Sequence, residues 1–205
     1  MIRPPGFRGA AFTTAREGDM ESGRRWLVSR TLAIPEEWAT ADQVHGTEVL
    51  DVDRPGPAGR GDALTTSTID LPLAVFTADC GAVILESESA VAVVHAGWRG
   101  AAAGVVARAA RFLAPDGGVR RAALGPTIGP CCFEVGEEVA AVFPAHIATT
   151  DWGTTSVDLP GAIQAQIPNV DWWSADACTR CGEGWFSYRN DATSSRLAAL
   201  GWRTA

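Results

Sequence analysis

Three short apolar segments lie close together in the sequence, and they constrain the possible fold of this chain more than any other feature. Residues 71–80 (LPLAVFTADC) are rich in β-branched and aromatic side chains, which is typical of a buried strand. Residues 82–86 and 90–95 are two further apolar runs around a polar SES tip, which predicts a β-hairpin. If the hairpin strands pair antiparallel, opposite residue numbers add up to about 175 or 176, so Cys80 lies across from His95. The sequence therefore predicts a thiol and an imidazole close together at one end of a buried hairpin.

Helical patterns are mixed irregularly with the strands. Apolar residues recur at helical spacing over residues 100–113, and residues 135–143 predict a second helix that ends before Pro144. Asp158 followed by Pro160 is typical of the start of a third helix. Further strands are expected at residues 48–53, 121–124, 185–189 and 197–202, and a long turn at residues 54–61. Without a regular βαβ alternation, this order favours an α+β fold with antiparallel pairs.

Charge and length narrow the classes of function. The chain has 205 residues and a net charge of −7, and its length predicts a single domain over residues 1–205. All 17 basic residues are Arg, a side chain suited to bidentate contacts with small phosphates, but an acidic chain without Lys is a poor nucleic-acid binder. No apolar run approaches the ~18 residues of a membrane span, and the first residues lack the apolar core of a signal peptide. We therefore expect a cytoplasmic protein that binds neither nucleic acid nor a membrane; the sequence leaves its oligomeric state open.

The candidate metal ligands are few. They are His45, His95 and His146 together with Cys80, Cys131, Cys132, Cys178 and Cys181, and a reducing compartment argues against a disulfide framework. His45 follows a QV pair and precedes a strand; with Cys80 and His95 it offers two imidazoles and one thiolate. That set suits zinc and leaves one coordination position for water, as catalytic zinc sites do. Two alternatives stay open: a nucleophilic Cys80 with His95 as its base, or a small buried thiol beside a hydrogen-bonded core histidine.

The remaining cysteines give a weaker signal. Cys178 and Cys181 have the C-x-x-C spacing of zinc and redox sites, and a four-cysteine zinc site with Cys131 and Cys132 is conceivable. The two adjacent cysteines do not have the spacing of a zinc ribbon, which argues against this site, and the sequence favours small buried thiols at Cys131 and Cys132.

Several longer motifs occur in a fixed order. They are QVHG (43–46), DALTT (62–66), TADC (77–80), VHAGWRG (94–100), GPTIGPCCFEVG (125–136), CT (178–179) and FSYR (186–189). Together they resemble the family once called multicopper polyphenol oxidoreductases, or laccase-domain proteins, also known as the YfiH family. The resemblance runs from about residue 9 to the end and implies an α+β fold: a single-domain layered α/β/β/α sandwich with mixed, largely antiparallel sheets. It also implies that His45, Cys80 and His95 are the metal ligands.

The resemblance carries an expectation of function. Family members are similar to purine nucleoside phosphorylases that also deaminate adenosine and cleave methylthioadenosine. We therefore expect a zinc-dependent enzyme that phosphorolyses adenosine, inosine or methylthioadenosine and deaminates adenosine, with a purine nucleoside and phosphate as its partners. Copper can occupy the same site in vitro, because it outcompetes zinc on raw affinity. Three histidines are too few for a multicopper oxidase, which needs many imidazoles.

Three further residues are candidates for catalytic roles. Asp62 and Asp79 can orient a ligand histidine or take a proton, and Arg99 can hold phosphate or the purine. Asp62 also has a plainer interpretation as a turn or cap residue, and Arg99 as a salt-bridged arginine at a helix start. The competing functions are a Cys80–His95 hydrolase or deamidase, and a metal-binding or peptidoglycan-associated protein without turnover. The chain departs from the family pattern at residues 20–30, which replace a longer N-terminal segment.

Overall fold

The elements are short and follow one another closely along the chain. The computed structural model describes residues 1–204, and the side chain of Asp116 lies outside that description. The strands are β1 (Ala10–Phe12), β2 (Ala39–Asp42), β3 (Val49–Asp51), β4 (Gly56–Arg60), β5 (Ala63–Thr66), β6 (Leu73–Thr77), β7 (Gly81–Glu86), β8 (Val91–Ala96), β9 (Arg121–Leu124), β10 (Ile147–Thr149), β11 (Thr155–Val157), β12 (Asp171–Ser174) and β13 (Leu197–Gly201). The helices are α1 (Arg25–Leu32), α2 (Trp98–Ala102), α3 (Val105–Phe112), α4 (Glu137–Val142), α5 (Leu159–Gln164) and α6 (Tyr188–Asp191).

Two mixed sheets form the centre of the molecule. The first has the strand order β1-β13-β6-β2-β4 and the second β12-β9-β7-β8-β5-β3, while β10 and β11 form a separate ribbon. In the second sheet the central pairs β9-β7, β7-β8 and β8-β5 are antiparallel, and the outer pairs β12-β9 and β5-β3 are parallel. The predicted α+β class with mixed sheets is confirmed.

Three apolar clusters show how the layers stack. Between the sheets, Leu73 and Val75 of β6 pack with Ile84 of β7 in one cluster. On the opposite face of β7, Val83 and Leu85 join the cluster beneath α3 and α5. A third cluster packs α1 onto the outer face of the first sheet. Since β7 is covered on both faces, its unbroken apolar run is explained, and the expected α/β/β/α layering is confirmed.

The hairpin register differs from the prediction. Ala82, and not Cys80, pairs with His95. The cause is the tip, where the Ser87 amide donates to the Ala90 carbonyl at 3.0 Å and extends the ladder towards the turn. Cys80 therefore lies just outside the ladder, immediately before β7.

Three other predicted elements need correction. The single helix expected over residues 100–113 is broken, because Gly104 adopts a left-handed φ of 81° between α2 and α3. The long turn expected at residues 54–61 contains β4, an edge strand that tolerates Pro57 because one side of it is unpaired. The strand expected at residues 185–189 is wrong, since α6 begins at Tyr188.

Local capping decides two of the helix starts. The Ser187 hydroxyl accepts a hydrogen bond from the Asn190 amide at 3.1 Å, which starts α6 in place of a strand. The Asp158 carboxylate accepts one from the Gly161 amide at 2.9 Å, so the predicted start of α5 is confirmed. Among the described residues 1–204, no helix has both the length and the apolar character needed to cross a bilayer.

Candidate active site

His45, Cys80 and His95 converge at one end of the second sheet. The His45 Nε2 and Cys80 Sγ atoms are 3.8 Å apart, and the three potential ligand atoms all lie within 4.8 Å of one another. The two imidazole rings meet edge to face, with centroids 4.8 Å apart. Ligands of a tetrahedral zinc ion stand roughly 3.5 Å from each other, given bonds of about 2.0–2.3 Å. The cluster can therefore hold one metal ion after only small side-chain movements.

The backbone brings the three residues together from separate elements. His95 lies near the end of β8, and Cys80 directly precedes the neighbouring strand β7. His45 lies on the loop after β2 and has a left-handed φ of 60°, an uncommon conformation for a residue with a side chain. Such strain persists only where the surrounding structure enforces it, and it is typical of functional sites.

Asp62 enforces the position of the His45 loop. Its fully buried carboxylate accepts hydrogen bonds from the backbone amides of Val44 at 3.3 Å, His45 at 2.9 Å and Gly46 at 2.6 Å. The same carboxylate accepts the Nδ1 proton of His95 at 2.8 Å. The Nε2 atom of His95 is thereby left to face Cys80, as in metal sites where a carboxylate orients the ligand histidine.

Charge in the cluster is arranged as an ion pair. Burial on its own raises the pKa of the Cys80 thiol, but hydrogen bonds and charge from His45 and His95 lower it to about 6. Burial on its own lowers the pKa of His95, yet Asp62 and Cys80 raise it to about 9. Burial also disfavours the charged form of Asp62, but its hydrogen bonds from His95 and from the Gly46 and His45 amides lower its pKa. Both shifts favour a thiolate on Cys80 and an imidazolium on His95.

Gly97, between β8 and α2, makes room for the cluster. A Cβ atom at this position would lie 2.7 Å from Cδ2 of His45 and 3.1 Å from the Cys80 sulfur. Any side chain here would push two of the three ligands apart. This close approach explains why the first glycine of the HAGWRG motif cannot be replaced by a larger residue without disturbing the cluster.

A cavity of about 640 Å³ opens over the cluster. This volume is in the usual range for small-molecule sites. Its walls combine the cluster with polar, acidic, basic, aromatic and aliphatic side chains: Glu21, Arg25, Thr40, Ala41, Asp42, Gln43, His45, Phe76, Thr77, Ala78, Asp79, Cys80, His95, Trp98, Ile128, Phe133, Tyr188, Arg189 and Arg196. The N-terminal segment that departs from the family pattern therefore contributes Glu21 and Arg25 to the wall.

Asp79 fastens the C-terminal part of the wall to the cluster. It has a left-handed φ of 94° and is largely buried. Its carboxylate accepts hydrogen bonds from the Thr179 hydroxyl and from the Arg189 backbone amide, both at 2.6 Å. Because both of its carboxylate oxygens accept hydrogen bonds from this part of the chain, Asp79 holds the segment that carries Arg189 close to its own neighbour Cys80.

Three arginines line the cavity, and they are not the arginine chosen from the sequence. Arg25 packs over the Phe76 ring at 4.9 Å, and Arg189 packs over the Phe133 ring at 5.3 Å. Arg196 is the third. Arg99 is exposed, stacks 4.2 Å above the ring of its neighbour Trp98 and is not among the lining residues.

The sequence contained a signal for one of the missed arginines. Arg189 is the last residue of FSYR, a motif that was read only as part of the family resemblance. Nothing in the local pattern distinguishes Arg25 from the other arginines of its segment, because its position depends on how α1 packs against β6.

Comparisons with known proteins agree with the motifs. A family model described as multi-copper polyphenol oxidoreductase laccase matches residues 13–204. A purine nucleoside phosphorylase of Streptomyces coelicolor is 39% identical over 197 residues, covering 88% of this chain and 81% of the relative. The purine nucleoside phosphorylase YfiH of Escherichia coli is 35% identical over 195 residues, covering 89% and 79%.

Solved structures extend the agreement to the fold. The crystal structure of YlmD from Geobacillus stearothermophilus matches with a TM-score of 0.85 and 26% identity, covering 100% of this chain and 98% of that one. A protein of Neisseria meningitidis matches with a TM-score of 0.73 and 27% identity, covering 89% and 80%. Because the family model spans nearly the whole sequence and the motifs agree with it, the chain belongs to the multi-copper polyphenol oxidoreductase laccase family, also known as the YfiH family.

Proposed function

We propose that the chain is a zinc-dependent purine nucleoside phosphorylase that cleaves adenosine, inosine or methylthioadenosine with phosphate in the cytoplasm. The names of its relatives support a purine nucleoside enzyme. The observation that carries the proposal is the joint lining of one cavity by a two-histidine, one-cysteine cluster and three arginines. A neutral nucleoside and a phosphate anion need just such a combination of aromatic and cationic walls.

The reaction sets two demands on the site. A phosphate oxygen forms a bond to ribose C1′ while the bond from C1′ to purine N9 breaks, and the purine leaves with the electron pair and takes up a proton. The products are ribose 1-phosphate and the free base. The site must therefore hold an anion near C1′ and stabilise the charge that develops on the purine.

The arginines of the cavity can hold the phosphate anion near C1′. Guanidinium groups bind phosphate oxygens bidentately and keep their charge at all working pH values. Arg189 is held on its main chain by Asp79, and its guanidinium also donates to the Glu134 carbonyl at 2.7 Å. Such anchoring reduces the conformational entropy lost when phosphate binds, so we assign Arg189 as the principal phosphate contact.

Aromatic walls suit the purine. Phe76, Phe133, Trp98 and Tyr188 border the cavity, and flat rings of this kind stack on purine faces. Gln43 does not read the base in this account, because its amide is paired at both ends with the Phe76 backbone at 2.8 Å. It fixes the Phe76 wall instead.

The donor set fits zinc. Two imidazoles and one thiolate are ligands that zinc prefers, and three protein ligands are typical of catalytic zinc. A bound zinc ion would supply a Lewis acid with one open coordination position. His45, Cys80 and His95 would hold it, and Asp62 keeps His95 in the tautomer whose Nε2 can bind. With zinc bound, the same open position would supply Lewis-acid chemistry for the deamination of adenosine, in which water replaces the amino group at C6 and ammonia leaves.

Product analysis tests the proposal. The full chain, purified without chelator or nickel resin, is incubated with each nucleoside with and without phosphate, and the bases are separated by chromatography. We expect free base that depends on phosphate, and inosine from adenosine whether or not phosphate is present. Absence of free base from a protein that carries its metal would contradict the proposal.

A substitution adds a test of the phosphate contact. Arg189→Gln should raise the KM for phosphate roughly tenfold or more, since a hydrogen bond to a charged group contributes about 1.5–3 kcal/mol. Arg111→Gln, on the exposed face of α3, is the matched control and should leave this KM unchanged. Equal values for both variants would remove Arg189 from the phosphate site.

A Cys–His hydrolase is the second candidate, because Cys80, His95 and Asp62 could also act as a nucleophile, its base and an orienting carboxylate. His45 is a ligand in the metal site, whereas in this triad it would only help to lower the pKa of Cys80. Iodoacetamide separates the two: a ligated Cys80 should resist alkylation until a chelator is added. After chelation, the rate should fall to half its plateau near pH 6, because that is where the thiolate is protonated. Rapid alkylation of Cys80, located by peptide mass mapping, in protein with its full metal complement would favour the hydrolase.

A further inference from the structure

The structure assembles a second cluster of metal-binding side chains away from the cavity. Cys131, Cys132, Cys178 and Cys181 come from two segments far apart in sequence, yet their four sulfurs all lie within 4.8 Å of one another. All four are free thiols. We propose that these four cysteines bind one zinc ion as a closed structural site.

The sulfur spacing fits one tetrahedral ion. Zinc–thiolate bonds of about 2.3 Å put the corners of an S₄ tetrahedron about 3.8 Å apart. The Cys131 and Cys181 sulfurs are 3.7 Å apart, which is far longer than the ~2.0 Å bond of a disulfide. Four thiolates around one position select zinc or iron among the common metals, and zinc needs no redox partner. Binding would release the thiol protons that remain on the free cluster, and it changes no oxidation state.

Backbone geometry supports ligation by Cys178. Its sulfur accepts a hydrogen bond from the Gly129 amide at 3.3 Å, and the amides of Arg180 and Cys181 are also directed at it. The chain then turns back sharply, since the Gly182 amide donates to the Cys178 carbonyl at 2.9 Å. Amides pointing at a thiolate stabilise its negative charge, as anion-binding nests of backbone N–H groups do.

Gly129 and Gly182 shape this turn by close approach. A Cβ atom on Gly182 would lie 2.6 Å from the Cys178 carbonyl oxygen, so a larger residue would open the turn. A Cβ atom on Gly129 would lie 3.3 Å from the Cys131 sulfur and 3.4 Å from Cβ of Cys178. The two cysteine segments are therefore packed against each other at the position where an ion would join them.

The sequence-based objection to this site is answered by the fold. The adjacent pair Cys131 and Cys132 does not have ribbon spacing, but a tight turn closes behind it. The Cys132 and Phe133 amides both donate to the Gly129 carbonyl, at 3.0 Å and 2.9 Å. This turn directs both neighbouring sulfurs to one side, where Cys178 and Cys181 meet them.

The ion would join the two cysteine segments that support the cavity wall. Ile128 and Phe133, on the first cysteine segment, line the cavity, and the Ile128 amide donates to the Asp79 carbonyl at 2.9 Å. On the second segment, Thr179 lies between the two cysteines and donates to the Asp79 carboxylate. A zinc ion that joins the segments would thus fix Asp79 from both sides. This inference does not depend on the proposed reaction.

The test separates the second site from the first. The double variant His45→Ala/Cys80→Ser leaves one ligand in the cavity cluster, so its metal should be lost. Purified without chelator or nickel resin, it should still carry about one zinc per chain by mass spectrometry. X-ray absorption of that zinc should show four sulfurs near 2.3 Å. Less than about a fifth of an equivalent of metal, or a first shell dominated by nitrogen and oxygen, would overturn the proposal.

Cys178→Ser gives the converse measurement. It should lower the zinc content of the otherwise unchanged chain by about one per molecule and lower the unfolding temperature. A variant that keeps the full zinc content would also overturn the proposal. If it does not fold, the metal count and absorption spectrum of the double variant decide alone. Peptide mass mapping of that double variant adds a third readout: a Cys131–Cys181 disulfide that persists in protein purified in the presence of a reductant would contradict a zinc site.

Discussion

The two cysteine-containing clusters of this molecule differ in almost every physical respect. The cavity cluster has three side chains of two kinds, is held by the buried carboxylate of Asp62 and opens onto about 640 Å³ of space. The four-cysteine cluster has ligands of one kind and is held by backbone amides and tight turns. Three ligands leave a coordination position free for chemistry, whereas four close the ion off. The number of ligands, and the groups that hold those ligands in place, therefore distinguish a site suited to catalysis from a structural one.

Cys80→Ser should have the largest effect on activity. Substitution of a residue that hydrogen-bonds to a metal ligand lowers metal affinity or activity 10- to 100-fold, so loss of a ligand itself should lower the activity roughly 100-fold or more. Metal content should fall by about one per chain together with the activity. Steady-state kinetics and mass spectrometry on the same preparation check this. Full metal content with no activity would point to a nucleophile instead of a ligand.

Asp62→Asn should have the next largest effect and acts only through other residues. The amide keeps the shape of the carboxylate but removes the charge that faces the Nδ1 proton of His95. We expect a 10- to 100-fold loss in zinc affinity or activity. The pKa of His95 should also fall from about 9 in the metal-free protein, where NMR titration can measure it. An unchanged His95 titration would refute the positioning role.

A pair of glycine substitutions compares the two clusters directly. Gly97→Ala places a methyl group 2.7 Å from the His45 ring, while Gly129→Ala places one 3.3 Å from its nearest sulfur. The first should therefore lower metal occupancy of the cavity cluster severalfold, and the second should have a smaller effect on its own cluster. Gly136→Ala, whose Cβ would meet nothing within 4 Å, is the control. Metal content per chain is the readout, and the reverse order would contradict the packing argument.

Arg99→Gln should have the smallest effect. The Arg99 guanidinium stacks on Trp98, which lines the cavity, and an exposed cation–π contact contributes about 0.5–1 kcal/mol. We expect kcat/KM to fall by roughly two- to fivefold, with the KM for phosphate unchanged. A tenfold rise in that KM would restore Arg99 as a phosphate contact.

Part of the candidate site was predictable from sequence because it depends on local pairing. Cys80 and His95 flank a hairpin, so even a register error of one or two residues leaves them at the same end of the sheet. Only the motif and the ligand chemistry predict His45, since its loop is positioned by Asp62, which lies in the bend before β5. Gly104 shows a similar limit, because one left-handed residue divides a helix whose apolar periodicity continues across it.

The second cluster was less predictable for a different reason. Cys131 and Cys178 meet through the parallel contact between Thr127 and Cys178, a non-local pairing that no spacing rule encodes. The turn that aims two adjacent sulfurs in one direction depends on Gly129 and its carbonyl. Residue spacing alone therefore undervalued the site, while the fold supplies the missing geometry.

Stepwise removal of metal is the most direct test of a catalytic role for the cavity cluster and a structural role for the four-cysteine cluster. Zinc release, activity and unfolding temperature are followed in one sample of the full chain during slow chelation. We predict that activity disappears with the first equivalent, from the open cavity cluster, and that most of the fall in unfolding temperature comes with the second, from the closed cluster. Activity that survives the loss of both equivalents would contradict the central claim that the cavity cluster works through a bound metal.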